Sequence, residues 1–303
     1  MTANGANGVI YKWGIEFEAG FKHDIYGYER NSDGIFDFNY YSKRHPEIFP
    51  NGKMPKVTWR LHSEGFSCSA KITPAELVIW PPVKSPFILY RDLKLLYNMV
   101  GEINSNMGLH IHVSFNDLDT YRKLWSRAYI ESFQDDVSSA FEEVKRRLSY
   151  SCYGHKFYKD STFPPLTGTK SQCLSYQYGY YGTLEYRAFP AVAVPERAKE
   201  YLLWLRENIN DFVRKHPDPS ISFNENFNGN QGSIRYSLMD AIQRFPNFWT
   251  DSPLKAFLDT PDVPLPPPSP KPQPHPQPLF AIPSPPPSPP SQEGPRWPEA
   301  VTQ

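Results

Sequence analysis

Three short segments of the chain place ionisable residues at every second position. In GIEFEAG (14–20) the pair is Glu16 and Glu18, in GLHIHVSF (108–115) it is His110 and His112, and in TLEYRAF (183–189) it is Glu185 and Arg187. The residues between and around them are apolar: Ile15, Phe17 and Ala19, then Leu109, Ile111 and Val113, then Leu184, Tyr186 and Ala188. Period-two alternation marks a β-strand, in which side chains two residues apart share a face at a spacing of about 7 Å. Each segment therefore reads as a strand with one apolar face and one face bearing an ionisable pair. A solvated strand face usually mixes Lys, Thr, Ser and Gln with Glu, but these pairs hold three Glu, two His and one Arg, with no Lys. Glu76 joins them from PAELVIWPP (74–82), where Val78 and Trp80, on its own face, are apolar. A carboxylate in such surroundings costs several kcal/mol unless it is paired or binds a cation.

Carboxylates with one or two imidazoles suit a hard divalent cation such as Mg²⁺ or Mn²⁺. Zinc more often recruits Cys, or a His pair in an HExxH helix, and neither pattern occurs. An arginine among metal-binding carboxylates adds a planar fork that takes phosphate oxygens bidentately and neutralises charge during transfer. The set points to nucleotide-dependent phosphoryl chemistry. There is no GxxxxGK[ST] loop and no GxGxxG turn, so cations and side chains must hold the phosphates.

Such pairs need a sheet to position them. Strands are predicted over 13–19, 57–62, 75–80, 109–115 and 183–188, with a short one near 173–177. Residues 20–55 are aromatic and lack helical period, so they read as a long loop or irregular hairpin. Residues 150–180, with Pro164-Pro165, read as a second loop. Ser85-Pro86 opens a helix that Leu89, Leu93, Leu96 and Val100 carry to about Gly101, since proline fits a first helical turn. Asp117 or Asp119 caps one helical stretch reaching about Arg147, with Leu124, Ala128, Phe133, Val137, Phe141, Val144 and Leu148 on its apolar side. Pro195 opens a helix ending before Pro217, and a shorter one is expected at 235–245. The sum is an α+β domain: an antiparallel or mixed sheet of five to seven strands with three or four helices.

Composition bounds this domain. Of 33 prolines, 18 lie from Pro261 onward, where little apolar surface is available to offset ordering entropy. The folding unit is therefore expected at 9–258, between a disordered 1–8 and a disordered, proline-rich 259–303. No paired Arg flanks a PxxP there in the usual register, which favours a solubilising spacer over a ligand for SH3- or WW-type domains. Lys plus Arg equals Asp plus Glu at 32 each, which argues against nucleic acid as a partner. No apolar run approaches a membrane span, and the first residues lack the features of a signal peptide. Cys68, Cys152 and Cys173 form no CxxC pair and fit reduced, buried thiols, so a cytoplasmic protein is expected.

The order GIEFE (14–18), AELVIWPP (75–82), GLHIHVSF (108–115) and TLEYRAF (183–189) resembles the amidoligase branch of the carboxylate–amine ligases, which share a fold with glutamine synthetase and glutamate–cysteine ligase. The resemblance covers roughly residues 13–215. It implies an antiparallel sheet curved into a funnel, with ATP and Mg²⁺ or Mn²⁺ on the concave face and helices packed outside. It also implies Glu16, Glu18, Glu76, His110 and Glu185 as metal ligands, with His110 also able to contact phosphate, and Arg187 on the transferred phosphoryl group. His112 either contacts nucleotide or substrate or orients a neighbouring carboxylate. With Glu18 and Arg187 it completes the implied catalytic set, and with His110 and Arg187 the nucleotide contacts.

The implied reaction activates a small-molecule or peptide carboxylate as an acyl phosphate, which an amine then attacks. Loops 23–45 and 150–181 offer candidate lids. The segment AFPAVAVPE after Arg187 departs from the family pattern, so substrate contacts are not carried over. Two other readings of the same face stand beside the ligase. One is a metal-dependent hydrolase or phosphotransferase, and the other an inactive ligase-fold scaffold working through its tail.

Overall fold

The computed structural model describes residues 8–30, 32–150, 173–177, 182–217 and 231–258. The expectations for the amino terminus before Gly8, for most of the second long loop, for Cys152 and for the proline-rich tail lie outside the described residues.

The alternating segments all form strands. They are β1 (Ile10–Phe21), β2 (Trp59–Ser63), β3 (Thr73–Ile79), β5 (Leu109–Phe115), β6 (Leu174–Gln177) and β7 (Thr183–Tyr186), joined by an unexpected short β4 (Val100–Glu102). They make one open sheet in the order β2-β3-β1-β5-β7-β6, with β4 pairing beside β1. Every strand pairing among the described residues is antiparallel rather than mixed. β1 outruns its predicted 13–19 at both ends because β5 and β3 continue to pair with it, from Ile10 opposite Phe115 to Phe21 opposite Thr73.

Helices are more numerous than the three or four expected; the one opened by Pro195 runs as predicted, and the one expected at 235–245 begins earlier, at Gln231. The described residues hold α1 (Phe38–Arg44), α2 (Pro86–Leu96), α3 (Leu118–Leu124), α4 (Arg127–Ala140), α5 (Glu142–Tyr150), α6 (Pro195–Lys215), α7 (Gln231–Arg244) and α8 (Pro253–Leu258). The single stretch expected over 117–147 is three helices. Asp117 accepts from the Thr120 N–H to cap α3, and Ser126 accepts from the Tyr129 N–H to cap α4. Each cap satisfies a donor at the start of a fresh helix. Phe141, at φ −138° and ψ 110°, separates α4 from α5. Ala128, expected on the apolar side, is exposed. α2 stops at Leu96, where Tyr97–Met99 tighten into a 3₁₀ turn that feeds β4. α1 lies inside the first aromatic loop, capped by Asp37 through the Tyr40 N–H.

The core covers the apolar face of the sheet. Trp13, Ile15, Phe17, Ile111, Val113, Leu184 and Tyr186 are fully buried there. Tyr97, just past α2, meets Phe17 ring to ring at 5.2 Å. From α4, Phe133 packs on Tyr186 at 5.2 Å and the Tyr129 hydroxyl bonds that of Tyr186 at 3.0 Å. α2 and α6 pack together through buried Leu89 and Leu93 and buried Leu202 and Leu205. Cys173 is buried and Cys68 half-buried, both as free thiols. Among the described residues no helix is long and apolar enough to cross a membrane.

Candidate functional site

Strand register brings the ionisable pairs together. In an antiparallel sheet, residues directly opposite each other share a face. Across β1 and β5, Glu16 stands opposite His110. Across β1 and β3, Glu18 stands opposite Glu76, and across β5 and β7, His112 stands opposite Glu185. All six residues therefore share the face away from the core, and Arg187 follows from the end of β7, its N–H bonded to the Cys173 carbonyl.

Glu16 is the centre of the cluster. Its Oε2 lies 3.1 Å from His110 Nδ1, and its Oε1 lies 2.9 Å from His112 Nε2. His110 Nδ1 is also 3.5 Å from Glu185 Oε1, and His110 Nε2 is 3.8 Å from Glu18 Oε1. The Arg187 guanidinium pairs with Glu185. Thr183 Oγ1, 3.0 Å from His112 Nδ1, fixes that ring so that Nε2 faces Glu16. Two groups have ligand atoms within 4.8 Å of one another: Glu16, Glu76 and His110, and Glu16, His112 and Glu185. Glu18 belongs to neither group; its Oε2 accepts a short hydrogen bond from the Gly108 N–H.

The electrostatics separate the carboxylates. Burial alone would raise the Glu16 pKa, but the charges and hydrogen bonds of His112 and His110 outweigh it and hold the carboxyl well below its usual range. Glu76 goes the other way: burial, reinforced by the Glu16 charge, pushes it up to about 9. Burial would lower His112, yet the Glu16 carboxylate outweighs it and raises the imidazole. These are the shifts expected where negative groups crowd a dry face.

The residues fit a divalent cation. Carboxylate oxygens from Glu16, Glu76 and Glu185, with one imidazole in each group, are a hard, oxygen-rich donor set. His110 Nε2 is buried without a hydrogen-bond partner, its nearest carboxylate oxygen, Glu18 Oε1, being 3.8 Å away. Buried polar atoms in that state cost free energy that a bound ligand recovers. Beside them a small cleft of about 10 Å³, bordered by Gly14, Glu16, Trp80, Pro82, His112 and Thr183, has room for a water or an ion.

Three neighbours escaped the sequence reading. His62 Nδ1, on β2, lies 3.2 Å from Glu76 Oε2. The signal was present: in WRLHS, Arg60 and His62 alternate with buried Trp59 and Leu61, the same design as the other strands. Thr183, two residues before Glu185, was equally legible by alternation. Arg147 carried no such signal. It reaches in from α5, donates to the Met107 carbonyl at 2.9 Å and is almost fully buried. Gly108 makes room for this approach, since a Cβ there would fall 2.5 Å from His110 Nε2 and 2.9 Å from an Arg147 guanidinium nitrogen.

No protein-family model, curated protein or solved structure matches the chain.

Proposed function

We propose that the chain is an ATP-dependent carboxylate–amine ligase, working from the ionisable face of a sheet that curves into a funnel around its substrates. The carrying observation is the double use of Glu16, which joins two potential ligand groups on adjacent strands, with the Arg187 guanidinium beside the second. A divalent cation, Mg²⁺ or Mn²⁺, would be held by Glu16, Glu76, His110 and Glu185 and would offset negative charge on the transferred phosphoryl group.

The chain's own residues do the rest. Arg187, oriented by Glu185, offers a planar fork to phosphoryl oxygens. Thr183 holds the His112 ring, and the Gly108 N–H holds Glu18 at the edge of the cluster. Glu18 is therefore best placed to position a substrate amine or a neighbouring group rather than to lie at the centre of the ligand set. Activation of a carboxylate as its acyl phosphate, followed by amine attack, is the reaction this mixture of acid, imidazole and guanidinium supports. The buried surroundings limit competing attack by water.

The test is ADP release by purified protein with Mg²⁺, run against a panel of amino acids, peptides and polyamines. Release that requires both a carboxylate and an amine, and is lost in Arg187→Ala, supports the ligase. Release that needs no amine assigns the face to a phosphotransferase or hydrolase. Absence of ATP binding by calorimetry in the presence of Mg²⁺ overturns the reading.

A further inference from the structure

Away from the sheet cluster, a second group of metal-ligand side chains stands in the first aromatic loop. His23 lies two residues past the end of β1. His45 follows α1, and Glu47 sits in the turn behind it. Pro46 accounts for the local geometry: the residue before a proline is driven out of the helical region, so α1 ends at Arg44 and His45 takes φ −130° and ψ 64°. The Ile48 N–H then bonds back to the His45 carbonyl at 3.1 Å, closing the turn that brings Glu47 beside His45. The His23 and His45 rings stack at 4.0 Å with 18° between their planes, so one ring must turn out of the stack for both in-plane lone pairs to reach a single ion.

The distances have the dimensions of a metal site. Ligand atoms about 2.0–2.2 Å from a tetrahedral zinc are about 3.3–3.5 Å from each other. Glu47 Oε1 lies 3.3 Å from His23 Nε2 and 3.7 Å from His45 Nδ1. The one ligand atom from each of the three residues falls within 4.8 Å of the others. The far nitrogen of His45, Nε2, is 3.1 Å from the Tyr28 hydroxyl. That is the arrangement that fixes the tautomer of a metal-ligating histidine, one nitrogen anchored and the other free to coordinate.

We propose that His23, His45 and Glu47 form a zinc-class transition-metal site, with Tyr28 orienting His45. Two imidazoles and one carboxylate select for such an ion over Mg²⁺, unlike the oxygen-rich set on the sheet. His23 and Glu47 also border a cleft of about 680 Å³ that includes Lys22, Lys53 and Asn98, so water or an anion can reach the remaining coordination position. The two lysines favour an anion there.

The experiment uses the full chain stripped of metal with a chelator and titrated with Co²⁺, read by its visible absorption, and with Zn²⁺ in competition with a chromogenic chelator. Glu47→Gln is the main variant, because more than half of that side chain is in water and the fold does not depend on it. Glu47→Gln and His23→Asn are expected to weaken Zn²⁺ binding by about 100-fold or more, and Tyr28→Phe by about 10- to 100-fold. Glu16→Gln, which alters only the sheet cluster, should leave this binding intact. The proposal is overturned if the wild-type chain gives no tetrahedral Co²⁺ band, if Glu47→Gln binds Zn²⁺ as the wild type does, or if the loss follows Glu16→Gln instead.

Discussion

Along β5, the two faces of the central sheet are buried almost alike and are built of opposite materials. Ile111, on the core face of β5, is 0 % exposed, while its neighbours His110 and His112 on the other face are 1 % and 6 % exposed. Burial therefore does not distinguish core from site. What differs is the return on burial. Each apolar side chain removed from water contributes about 25 cal/mol per Å². Each ionisable group costs free energy until a partner offsets it, and even a well-paired buried ion cluster is weak evidence of stabilisation. Glu76, pushed up to about 9, shows that the cost is incompletely met on that face. A stretch of sheet that gives up stability in this way supports the proposed role of that face in binding.

The comparison can be broken by exchanging its consequences. The largest effect is expected from Glu16→Gln, which removes the carboxylate shared by both ligand groups. Mg²⁺-dependent ATP turnover should fall about 10³-fold or more, near 4 kcal/mol in barrier, with the fold retained by circular dichroism. Unchanged turnover would move the site elsewhere. Next is Phe17→Ala, one residue along and on the other face, which should lower stability to urea by about 3–5 kcal/mol. At denaturant-free temperatures well below melting, the folded fraction should keep its cation binding.

The smallest effect tests whether ionisable groups outside the site behave as structure only. Glu143 of α5 accepts from Arg197 and from the Tyr201 hydroxyl of α6, and the Arg197 hydrogen bond leads in lowering its pKa to about 2. A carboxyl with a depressed folded pKa stabilises above its unfolded value, near 4.3, and loses that contribution as pH falls toward 2. Urea unfolding of wild type and Glu143→Gln should therefore differ by under about 1 kcal/mol at pH 6, because the pair remains partly in water. The two curves should converge as pH falls to about 2 and below, with turnover alike at neutral pH. A gap that widened on acidification would refute the assignment.

Much of the site was legible in the sequence because alternation encodes a face directly. Glu16, Glu76, His110, His112 and Glu185 needed only their own strands and the pairing order to meet. Arg187 was legible for the same reason, although its pairing with Glu185 is an outcome of packing. Glu18 was less so: alternation placed it on the right face, but the N–H that holds it belongs to Gly108, just before β5, and becomes a partner only once the register of β1 on β5 is known. Arg147 was invisible because a helix residue announces no relation to a strand 37 positions earlier, such as His110. The helices were overcounted in length and undercounted in number. Apolar periodicity runs on through 117–147, whereas the breaks fall at Ser126, whose side chain accepts from the Tyr129 N–H, and at Phe141, whose backbone is extended. β4 had no signal of its own, since three residues are too few for a period.

The central place of β1 has a consequence during synthesis. Its Glu16 meets His110 across 94 residues of chain. At roughly 5–20 residues per second, β1 leaves the ribosome roughly 5–20 s before that partner exists. For that interval a 12-residue strand with a strongly apolar side keeps unpaired at least the edge that β5 will cover, β3 arriving earlier on the other, and an open edge is the condition under which nascent chains associate wrongly. Glu16 and Glu18 are then two like charges at alternate positions of the unpaired strand, where they repel a second copy of the same segment. The carboxylates that face the cluster in the folded protein thus guard the strand before there is a sheet for it to join.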